Sequence, residues 1–350
     1  MSAGAGRATI TDVALRAGVS RTTVSHAMNG KGTVSPATSE RVRAVAAELG
    51  YEPNAVARGL RQSRLGVIAL IIRPLDSLDT ANPEGVDYFL RFAGSAALSA
   101  VDRGYGLLLA SDPTRDDAPA PGPAADGFIV DSPVEDDPLI ALLRRRGTPY
   151  VAVGVAPDSS DDTPAVTHDA EADTDRILAH LTAGGARRIA LVTGTDRNDW
   201  NRVAHAAYVA WVQRHGHLVD VHALDESSGV AGGRALGLDL LSGKLDGQSG
   251  RGGRPDAVYC LTGRHAAGVA DAAKELSLRI PDDVQVVAGS DAVMCRTSEP
   301  PITALDLNPE QNARTAVNAL VAALSGQPPR WPLRGAENHL IVRESTSARR

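Results

Sequence analysis

The chain has 350 residues, of which 43% are hydrophobic and 3% aromatic, and its formal net charge is −6. This length is too great for one compact domain, so two or three domains are expected. The first residues contain no apolar stretch typical of a signal peptide, and the apolar run 65–72 is too short to cross a bilayer, so we expect a soluble cytoplasmic protein.

Three short helices are predicted near the N-terminus. The first covers about Ile10–Ala17, because apolar residues recur there at i, i+3, i+4 and i+7. A second helix covers Arg21–Met28 after the capping residue Ser20, and a third begins at Pro36. The link between the first two helices is short and contains a glycine, which is typical of a helix-turn-helix motif.

The charge of this segment favours a nucleic-acid partner. Residues 1–64 contain nine Lys or Arg and four Asp or Glu, so their net charge is +5 against −11 for the rest of the chain. A basic segment on an acidic body is expected where only that segment contacts phosphates, although a solvated basic face explains the charge equally well. The exposed face of the second helix carries donors and acceptors of the kind that recognise base edges in a major groove.

The segment matches without a gap the pattern T-x-x-D-V-A-x-x-A-G-V-S-x-x-T-V-S-x-x-x-N-G, followed by V-S-x-x-T and L-G-Y-x-P-N-x-x-A-R-x-L. It thereby resembles the LacI-type, or lactose-repressor, family of bacterial transcription regulators. The alternative is an ordinary three-helix packing unit. So many fixed positions at fixed spacing are far more specific than a lone helix-turn-helix pattern.

The resemblance implies roles for individual residues of this head. Arg21, Thr22 and His26 occupy positions that contact base edges. The positions that contact phosphates and fix the register on DNA are Thr9, Ser20, Thr23, Ser25, Asn29, Ser35 and Thr38. Hydroxyl groups and helix N-termini suit that contact because they donate to anionic oxygens.

A short hinge follows the head. Asn54 can cap a helix over about 55–60, which is under two turns long and not stable alone in water. In the family that the chain resembles, this helix forms only on specific DNA, lies in the minor groove and pairs with the same helix of a second subunit. Leu60 then occupies the position of an apolar wedge that kinks the DNA, and Ala57 is small enough for close approach. Arg58 would add charge in the minor groove, although a solvated arginine is an equally good interpretation.

Beyond residue 65 short apolar strands alternate with helical segments. The predicted strands are LGVIALII, GLLLAS, GFIVD, PYVAVG, AVTH, RIALVTG, LVDVHAL, DAVYCL, VQVVAG and ITALDL. The predicted helices are Pro83–Arg103, Glu171–Ala183, Arg202–His215, Arg264–Leu276 and Glu310–Leu324. Such alternation predicts parallel sheets with helices on both faces, and roughly 280 residues of it indicate two lobes.

Weaker motifs extend the resemblance to this part, among them DAEAD and IPDDVQVVAGSD. They imply an all-α helix-turn-helix headpiece plus an α/β two-lobed domain of the periplasmic-binding-protein type. The predicted boundaries are 1–53 for the DNA-binding domain, 54–64 for the hinge helix and linker, 65–345 for the ligand-binding and dimerisation domain, and 346–350 for a tail. The chain is expected to cross between the lobes near 165, 288 and 326.

A ligand is expected in the cleft at the carboxyl ends of the strands. Its predicted contacts are Asp76, Ser111, Trp200, Arg202, Arg264, Ser290 and Asp291. The family's effector arginine falls on Ala204 here, so Arg202 receives the main polar role, provided that it lies in the loop before the helix. A helix cap with a packing tryptophan is the other interpretation of this segment.

The chain contains no motif typical of catalysis, nucleotide binding or metal ligation, so we expect neither an enzyme nor a cofactor or metal. Cys260 and Cys295 are expected to be buried thiols. His168 beside Asp169 suggests an acid–base pair, but polar residues at a strand end are the more common explanation. The acidic pairs at 136–137 and 161–162 are interpreted as solvated loop charges.

Two hypotheses from different classes remain. The first is a homodimeric repressor that binds a pseudo-palindromic double-stranded DNA operator and responds to a small-molecule effector, with sugars and sugar derivatives as candidates. The second is a solute-binding or hydrolytic protein of the same two-lobed fold with an incidental helical head. A signal peptide or a catalytic constellation would favour the second hypothesis, and neither is found.

Overall fold

A computed structural model of the chain describes residues 8–29, 34–51, 64–72, 87–116, 118, 122, 124–244 and 253–346. Contacts divide the chain into two compact units, Met1–Gly66 and Val67–Arg350. The predicted hinge residues and Asp76 lie outside the described residues, so their roles stay predictions. Among the described residues no helix is both long and apolar enough to cross a membrane.

The first unit contains α1 (Ile10–Ala17), α2 (Arg21–Asn29) and α3 (Pro36–Glu48), which confirms the three predicted helices. A capping box starts α1: the Thr9 side chain accepts from the Asp12 amide, and the Asp12 carboxylate accepts from the Thr9 amide at 2.8 Å. Gly18 ends α1 in the left-handed region at φ 66°. The stripes of the three helices meet in a small core centred on Val13, Val24 and Val42.

The second unit alternates strands and helices as the sequence predicts. In chain order they are β1 (Val67–Ile72), α4 (Asp87–Asp102), β2 (Gly106–Ala110), β3 (Gly127–Asp131), α5 (Pro138–Arg146), β4 (Tyr150–Val153), β5 (Ala165–Thr167), α6 (Ala170–Ala183), β6 (Ile189–Thr193), α7 (Asp199–Arg214), β7 (Val221–Ala223), α8 (Gly229–Leu241), β8 (Ala257–Cys260), α9 (Gly263–Glu275), β9 (Gln285–Ala288), α10 (Val293–Thr297), β10 (Thr303–Asp306), α11 (Pro309–Leu324), β11 (Leu333–Arg334) and β12 (His339–Ile341). A 3₁₀ turn, Glu226–Ser228, precedes α8.

These strands form two six-stranded sheets, each the centre of one lobe. Lobe 1 has the order β11-β5-β4-β3-β1-β2, and lobe 2 has the order β12-β10-β9-β8-β6-β7. All neighbours in lobe 1 are parallel, whereas β12 runs antiparallel to β10 at the edge of lobe 2. Apolar residues on both faces of each sheet are covered by helices, which explains why the strands have continuous apolar sequences rather than alternating ones.

The chain passes between the lobes three times, near 168–169, at 307–308 and at 335–338. The first crossing lies close to the predicted position, but the predictions near 288 and 326 are wrong. After β9 the chain remains in lobe 2, because β10 pairs with β9 in parallel. After it crosses, α11 packs on lobe 1 and β11 pairs with β5, so residue 326 lies within lobe 1.

The helix α8 was not predicted, and its glycines explain why. Four glycines in 13 residues are unfavourable for an isolated helix. Here they allow α8 to lie against α9 with the backbones in contact: a Cβ added at Gly233 would lie 2.5 Å from the His265 carbonyl oxygen, and one at Gly237 would lie 2.8 Å from the Ala272 Cβ. Close helix packing therefore outweighs the low helix propensity of this segment.

Candidate functional sites

The helix α2 presents a polar face to solvent. Arg21, Thr22 and His26 are exposed, whereas Val24 and Ala27 on the other side are buried in the core of the head. The amphipathic pattern of α2 places the three polar side chains where they can reach a partner. Their predicted contacts with base edges are compatible with this exposure and stay predictions.

Several predicted phosphate contacts also cap helices. The Ser20 hydroxyl accepts from the Thr23 amide at 3.0 Å, and the Ser35 hydroxyl accepts from the Thr38 amide at 3.2 Å. Ser35 also donates to the Thr38 hydroxyl oxygen at 2.8 Å, which leaves the Thr38 proton for an outside acceptor. The helix starts thus hold hydroxyls and backbone amides that suit an anionic oxygen. The phosphate contacts of Thr9, Ser20, Thr23, Ser25, Ser35 and Thr38 stay predictions. The side chain of Asn29 lies outside the described residues.

A cavity of about 570 Å³ separates the two lobes at the carboxyl ends of their strands. This volume lies in the range of small-molecule sites, roughly 300–1,000 Å³. Lobe 1 contributes Tyr88 and Phe89 from α4 and Asp131 from the end of β3. Lobe 2 contributes the starts of α7 and α9 and the turn after β9. The cavity is therefore a candidate ligand site between the lobes, as the sequence predicts.

The structure brings four of the predicted ligand contacts to this cavity: Trp200, Arg264, Ser290 and Asp291. Ser111 does not line it, because this residue is exposed at the end of the edge strand β2. The sequence predicts where a strand ends, but it does not show whether that strand lies at the centre or at the edge of its sheet.

The main polar role predicted for Arg202 is wrong. The helix α7 begins at Asp199 with Asn198 as its N-cap, so Arg202 already lies within the helix rather than in the preceding loop. Its guanidinium donates from Nε to Asp199 at 3.0 Å, and its side chain is 58% exposed. The position of the family's arginine, Ala204, is buried in the core of lobe 2. Neither residue faces the cavity.

Arg264, at the start of α9, is the partly buried guanidinium of the cavity wall. Its Nη2 donates to the Glu226 carbonyl oxygen at 2.8 Å, and burial lowers the pKa of the guanidinium. Among the described residues no carboxylate lies within ion-pair distance of Arg264. Its remaining N–H groups can donate to ligand groups that accept hydrogen bonds, such as hydroxyls or carboxylates.

Asp291 is held by two arginines that sequence analysis missed. Its Oδ1 accepts from Arg343 at 2.9 Å, and its Oδ2 accepts from Arg296 at 2.8 Å. Arg296 also donates to Asp87 of lobe 1 at 2.7 Å. The carboxylate therefore stabilises an ion network at the cavity wall as well as lining the cavity. No sequence signal links these residues, because they come from distant segments.

Aromatic groups and the partly buried His168 complete the wall. Burial, with a contribution from Asp131, raises the pKa of the Tyr88 hydroxyl, so this group stays protonated. Burial lowers the pKa of His168, which is therefore neutral at pH 7. Tyr88, Phe89 and Trp200 supply flat apolar surface beside the polar groups. The amphipathic pattern of α4 predicts a helix but does not reveal which end of it meets the cavity.

The lobes also touch beside the cavity. Val134 of lobe 1 and Asn198 of lobe 2 form an antiparallel bridge, and the Glu135 amide donates to the Arg197 carbonyl oxygen at 3.2 Å. The side chains of Arg197 and Glu135 form an ion pair. The lobes are thus in contact through Arg197 and Asn198, the last two residues of the segment 194–198, which we call the closing loop.

Two other sequence interpretations are settled by the structure. Cys260 and Cys295 are buried free thiols, as predicted, and burial raises the pKa of Cys295 to about 12. Asp137, by contrast, is not a solvated loop charge: it is buried and caps α5 by accepting from the Leu139 and Ile140 amides at 3.0 Å. Among the described residues no cluster of His, Cys, Asp or Glu is suited to hold a metal ion.

Comparison with family models gives two matches, one within each of the two compact units. Residues 9–54 match bacterial regulatory proteins of the lacI family, and residues 178–346 match a periplasmic binding protein-like domain. Among curated proteins, the HTH-type transcriptional regulator CelR of Thermobifida fusca is 30% identical over 357 residues, which cover 97% of this chain and 98% of that protein. The ribose operon repressor of Escherichia coli K12 is 27% identical over 322 residues, 90% of this chain and 92% of that protein.

Solved structures show the same architecture. A complex of the transcriptional regulator CelR with cellobiose matches with a TM-score of 0.68 and 26% identity, over 97% of this chain and 100% of that one. The lac repressor dimer bound to operator and the anti-inducer ONPF matches with a TM-score of 0.79 and 22% identity, over 97% and 99% of the two chains. The second likeness shows the fold alone.

Proposed function

The chain belongs to the LacI family of bacterial regulatory proteins and is a DNA-binding transcription regulator, and from this premise we propose that it is a homodimeric repressor whose ligand occupies the cavity between the lobes. The observation that carries the proposal is the presence, in one chain, of an exposed polar α2 face and an interlobe cavity of about 570 Å³. The curated relatives named above are regulators rather than enzymes.

Base recognition is assigned to Arg21, Thr22 and His26, and the helix-start hydroxyls are assigned to phosphates. The minor-groove role of Asn54, Ala57, Arg58 and Leu60 belongs to the same proposal and rests on their sequence positions. Two heads held by one dimer read a pseudo-palindrome, because the symmetry of the site mirrors that of the protein. Such a regulator works where the chromosome is, so we expect it in the cytoplasm.

The surface of lobe 1 supports a dimer. Leu90, Leu98 and Val101 are 56%, 72% and 67% exposed along α4, and Leu109 on the neighbouring edge strand β2 is 50% exposed. Leucines that cluster on one helix and an unpaired strand edge are unfavourable in water and favour burial against another surface. A second copy of this chain is the proposed partner.

The wall of the cavity favours a saccharide. Carboxylates and Arg264 supply acceptors and donors for hydroxyl groups, and the rings of Tyr88 and Trp200 supply surface for the apolar faces of a sugar. Relatives agree with this chemistry: CelR was solved with cellobiose, and another relative is a repressor of a ribose operon. We therefore assign the ligand to polyhydroxylated compounds, with Arg264 in the main polar role in place of Arg202.

Selection from random double-stranded DNA tests the first part of the proposal. A repressor of this family returns a two-fold symmetric site whose affinity falls steeply with salt, because phosphate contacts release counterions. If only salt-dependent binding without a symmetric site were found, the proposed two-fold operator and the base contacts of Arg21, Thr22 and His26 would be wrong. A thermal-shift screen with cellobiose, ribose, nucleosides and sugar phosphates then tests the ligand class.

A further inference from the structure

Glu226 lies outside the cavity wall yet contacts two groups that matter for it. It begins the 3₁₀ turn after β7 and is partly buried. Its carboxylate faces the closing loop, whereas its backbone carbonyl oxygen accepts from Arg264 at 2.8 Å. One residue therefore connects the cavity's arginine with one of the segments through which lobe 2 touches lobe 1.

The carboxylate holds the closing loop through several donors. Its Oε2 accepts from the Thr195 amide at 3.0 Å and from the Asp196 amide at 3.3 Å, and its Oε1 accepts from Asn201 Nδ2 at 2.7 Å. Charge-assisted hydrogen bonds of this kind are stronger than neutral ones. The start of the loop, Gly194, lies so close that an added Cβ would overlap the Glu226 carboxylate. The loop conformation thus depends on this carboxylate.

Asn201 reinforces the same arrangement from the first turn of α7. Its Oδ1 accepts from the Gly194 amide at 3.3 Å, and its Nδ2 donates to the Asp196 carbonyl oxygen at 3.0 Å as well as to Glu226. At the far end of the loop, Arg197 and Asn198 make the contacts with Val134 and Glu135 of lobe 1. Hydrogen bonds therefore connect Arg264 to Glu226, Glu226 to the closing loop, and the closing loop to lobe 1.

We propose that Glu226 is a positioning residue that couples Arg264 in the cavity to the closing loop, so that occupancy of the cavity changes the contact between the lobes. A ligand that binds Arg264 shifts the carbonyl of Glu226, the carboxylate moves with it, and the loop follows. A ligand changes an equilibrium between lobe arrangements only through such differential contacts. The inference rests on the proposed function in taking the cavity as a ligand site.

Hydrogen exchange of the full-length protein without ligand or DNA tests this coupling. The amides of Thr195 and Asp196 report the loop, and the amide of Glu135, which donates to Arg197, reports the contact across the lobes. In Glu226→Gln, an NH2 group replaces one of the two accepting oxygens and the negative charge is lost, so either the loop donors of Thr195 and Asp196 or the Asn201 Nδ2 group meets a donor in place of an acceptor. We expect exchange at least tenfold faster at 195–196 and also at Glu135 in the other lobe. The matched control is Glu275→Gln, which removes an exposed ion pair with Arg234 in lobe 2 and leaves both segments unchanged.

A second variant tests the cavity end of the path. Arg264→Met removes the donor to the Glu226 carbonyl and retains much of the side-chain length, so we expect faster exchange at 195–196 and at Glu135. If Glu226→Gln accelerates only the loop, or if Arg264→Met changes neither segment, Glu226 is a local support and the inference is overturned. Operator selection and the thermal-shift screen use the unmutated protein, so their outcomes do not depend on these exchange rates. A failure of the inference is therefore distinct from a failure of the proposed function.

Discussion

The two lobes share one strand order but close their outer edges in different ways. The edge strand β2 of lobe 1 leaves Leu108 and Leu109 exposed, next to the exposed leucines of α4. The edge strand β7 of lobe 2 instead carries His222, whose Nε2 lies 2.9 Å from the buried Asp220 carboxylate. Lobe 2 therefore has a polar pair at its edge strand, whereas lobe 1 keeps an apolar surface that suits a second subunit.

The two lobes also contribute different chemical groups to the cavity. Lobe 1 supplies the rings of Tyr88 and Phe89, and lobe 2 supplies Arg264 and the Asp291 ion network together with Trp200. One scaffold thus serves two purposes. We propose that lobe 1 makes the contact with a partner subunit, and that lobe 2 supplies the charged groups that recognise the ligand most strongly. The following experiments test this division, from the largest expected effect to the smallest.

The two cores are expected to be equally well packed. Phe92→Ala in lobe 1 and Tyr208→Ala in lobe 2 each remove a fully buried ring and should lower the free energy of unfolding by about 3–5 kcal/mol. Tyr208→Phe should cost about 1–3 kcal/mol, because it leaves the Asp220 amide, 3.1 Å from the hydroxyl, without its acceptor. Denaturant unfolding followed by circular dichroism measures the free energy of unfolding of each variant. A neutral Phe92→Ala would show that lobe 1 is packed more loosely than lobe 2.

The apolar surface of lobe 1 is tested by charge. Leu98→Glu places a carboxylate at the centre of the proposed dimer surface and should yield a monomer whose operator affinity is weaker by about 10²-fold, since two linked heads bind together more tightly than one. The control, Leu218→Glu, changes an exposed leucine of lobe 2 and should leave both properties unchanged. Light scattering and gel shift measure the two effects. A Leu98→Glu protein that stays dimeric would remove the proposed role of this surface.

The polar recognition of lobe 2 is tested by two arginines. For a saccharide that raises the melting temperature in the screen, Arg264→Ala should weaken binding about tenfold or more, since hydrogen bonds to charged groups contribute about 1.5–3 kcal/mol. Arg202→Ala should have no effect, because that side chain pairs with Asp199 outside the cavity. Titration calorimetry measures the affinities. The reverse pattern would restore Arg202 as the ligand contact.

A pH dependence confined to lobe 2 is the smallest expected effect. Burial, with Glu226 and Asp225 nearby, raises the pKa of Asp196 to about 6 from its usual 3.8. The folded state therefore binds a proton more tightly than the unfolded state, and the stability that this proton contributes is lost as the pH rises through about 6. Asp196→Asn should flatten the pH dependence of unfolding between pH 4 and 7. An unchanged slope would mean that Asp196 is well solvated.

Local signals explain what the sequence could predict. The bounds of α1 follow from its apolar stripe, its capping Thr9 and its terminal Gly18, which all lie within ten residues. The strands β1 to β10 are each a short apolar run, so they were predicted one by one. The two-residue strand β11 and the short β12 carry too little pattern to be noticed.

Contacts between distant segments explain what the sequence could not predict. The sequence of a strand does not reveal which sheet the strand joins, so the crossings predicted near 288 and 326 place β10 in lobe 1 and β11 in lobe 2, the reverse of what the structure shows. Asn198, Asp199 and Asn201 can all cap a helix. In the structure Asn198 is the N-cap of α7, so Arg202 lies within the helix and not in the loop before it. The roles of Arg343 and Glu226 arise from partners far away in the chain, at Asp291 and Thr195.

The three crossings bear on the order in which the protein assembles during its synthesis. The strands β6 to β10 of lobe 2 form one uninterrupted stretch, whereas lobe 1 lacks α11 and β11 until residue 334 has been translated. Until then the first sheet lacks the cover that Ala316, Val317 and Leu320 provide. By residue 306 each lobe has five of its six strands, but lobe 1 still lacks its covering helix α11, so we expect lobe 1, although it is begun first, to complete its core later than lobe 2. A premature stop after residue 306 would accordingly remove a core helix and a strand from the N-terminal lobe, but only the edge strand β12 and the turn Glu344–Thr346 from lobe 2.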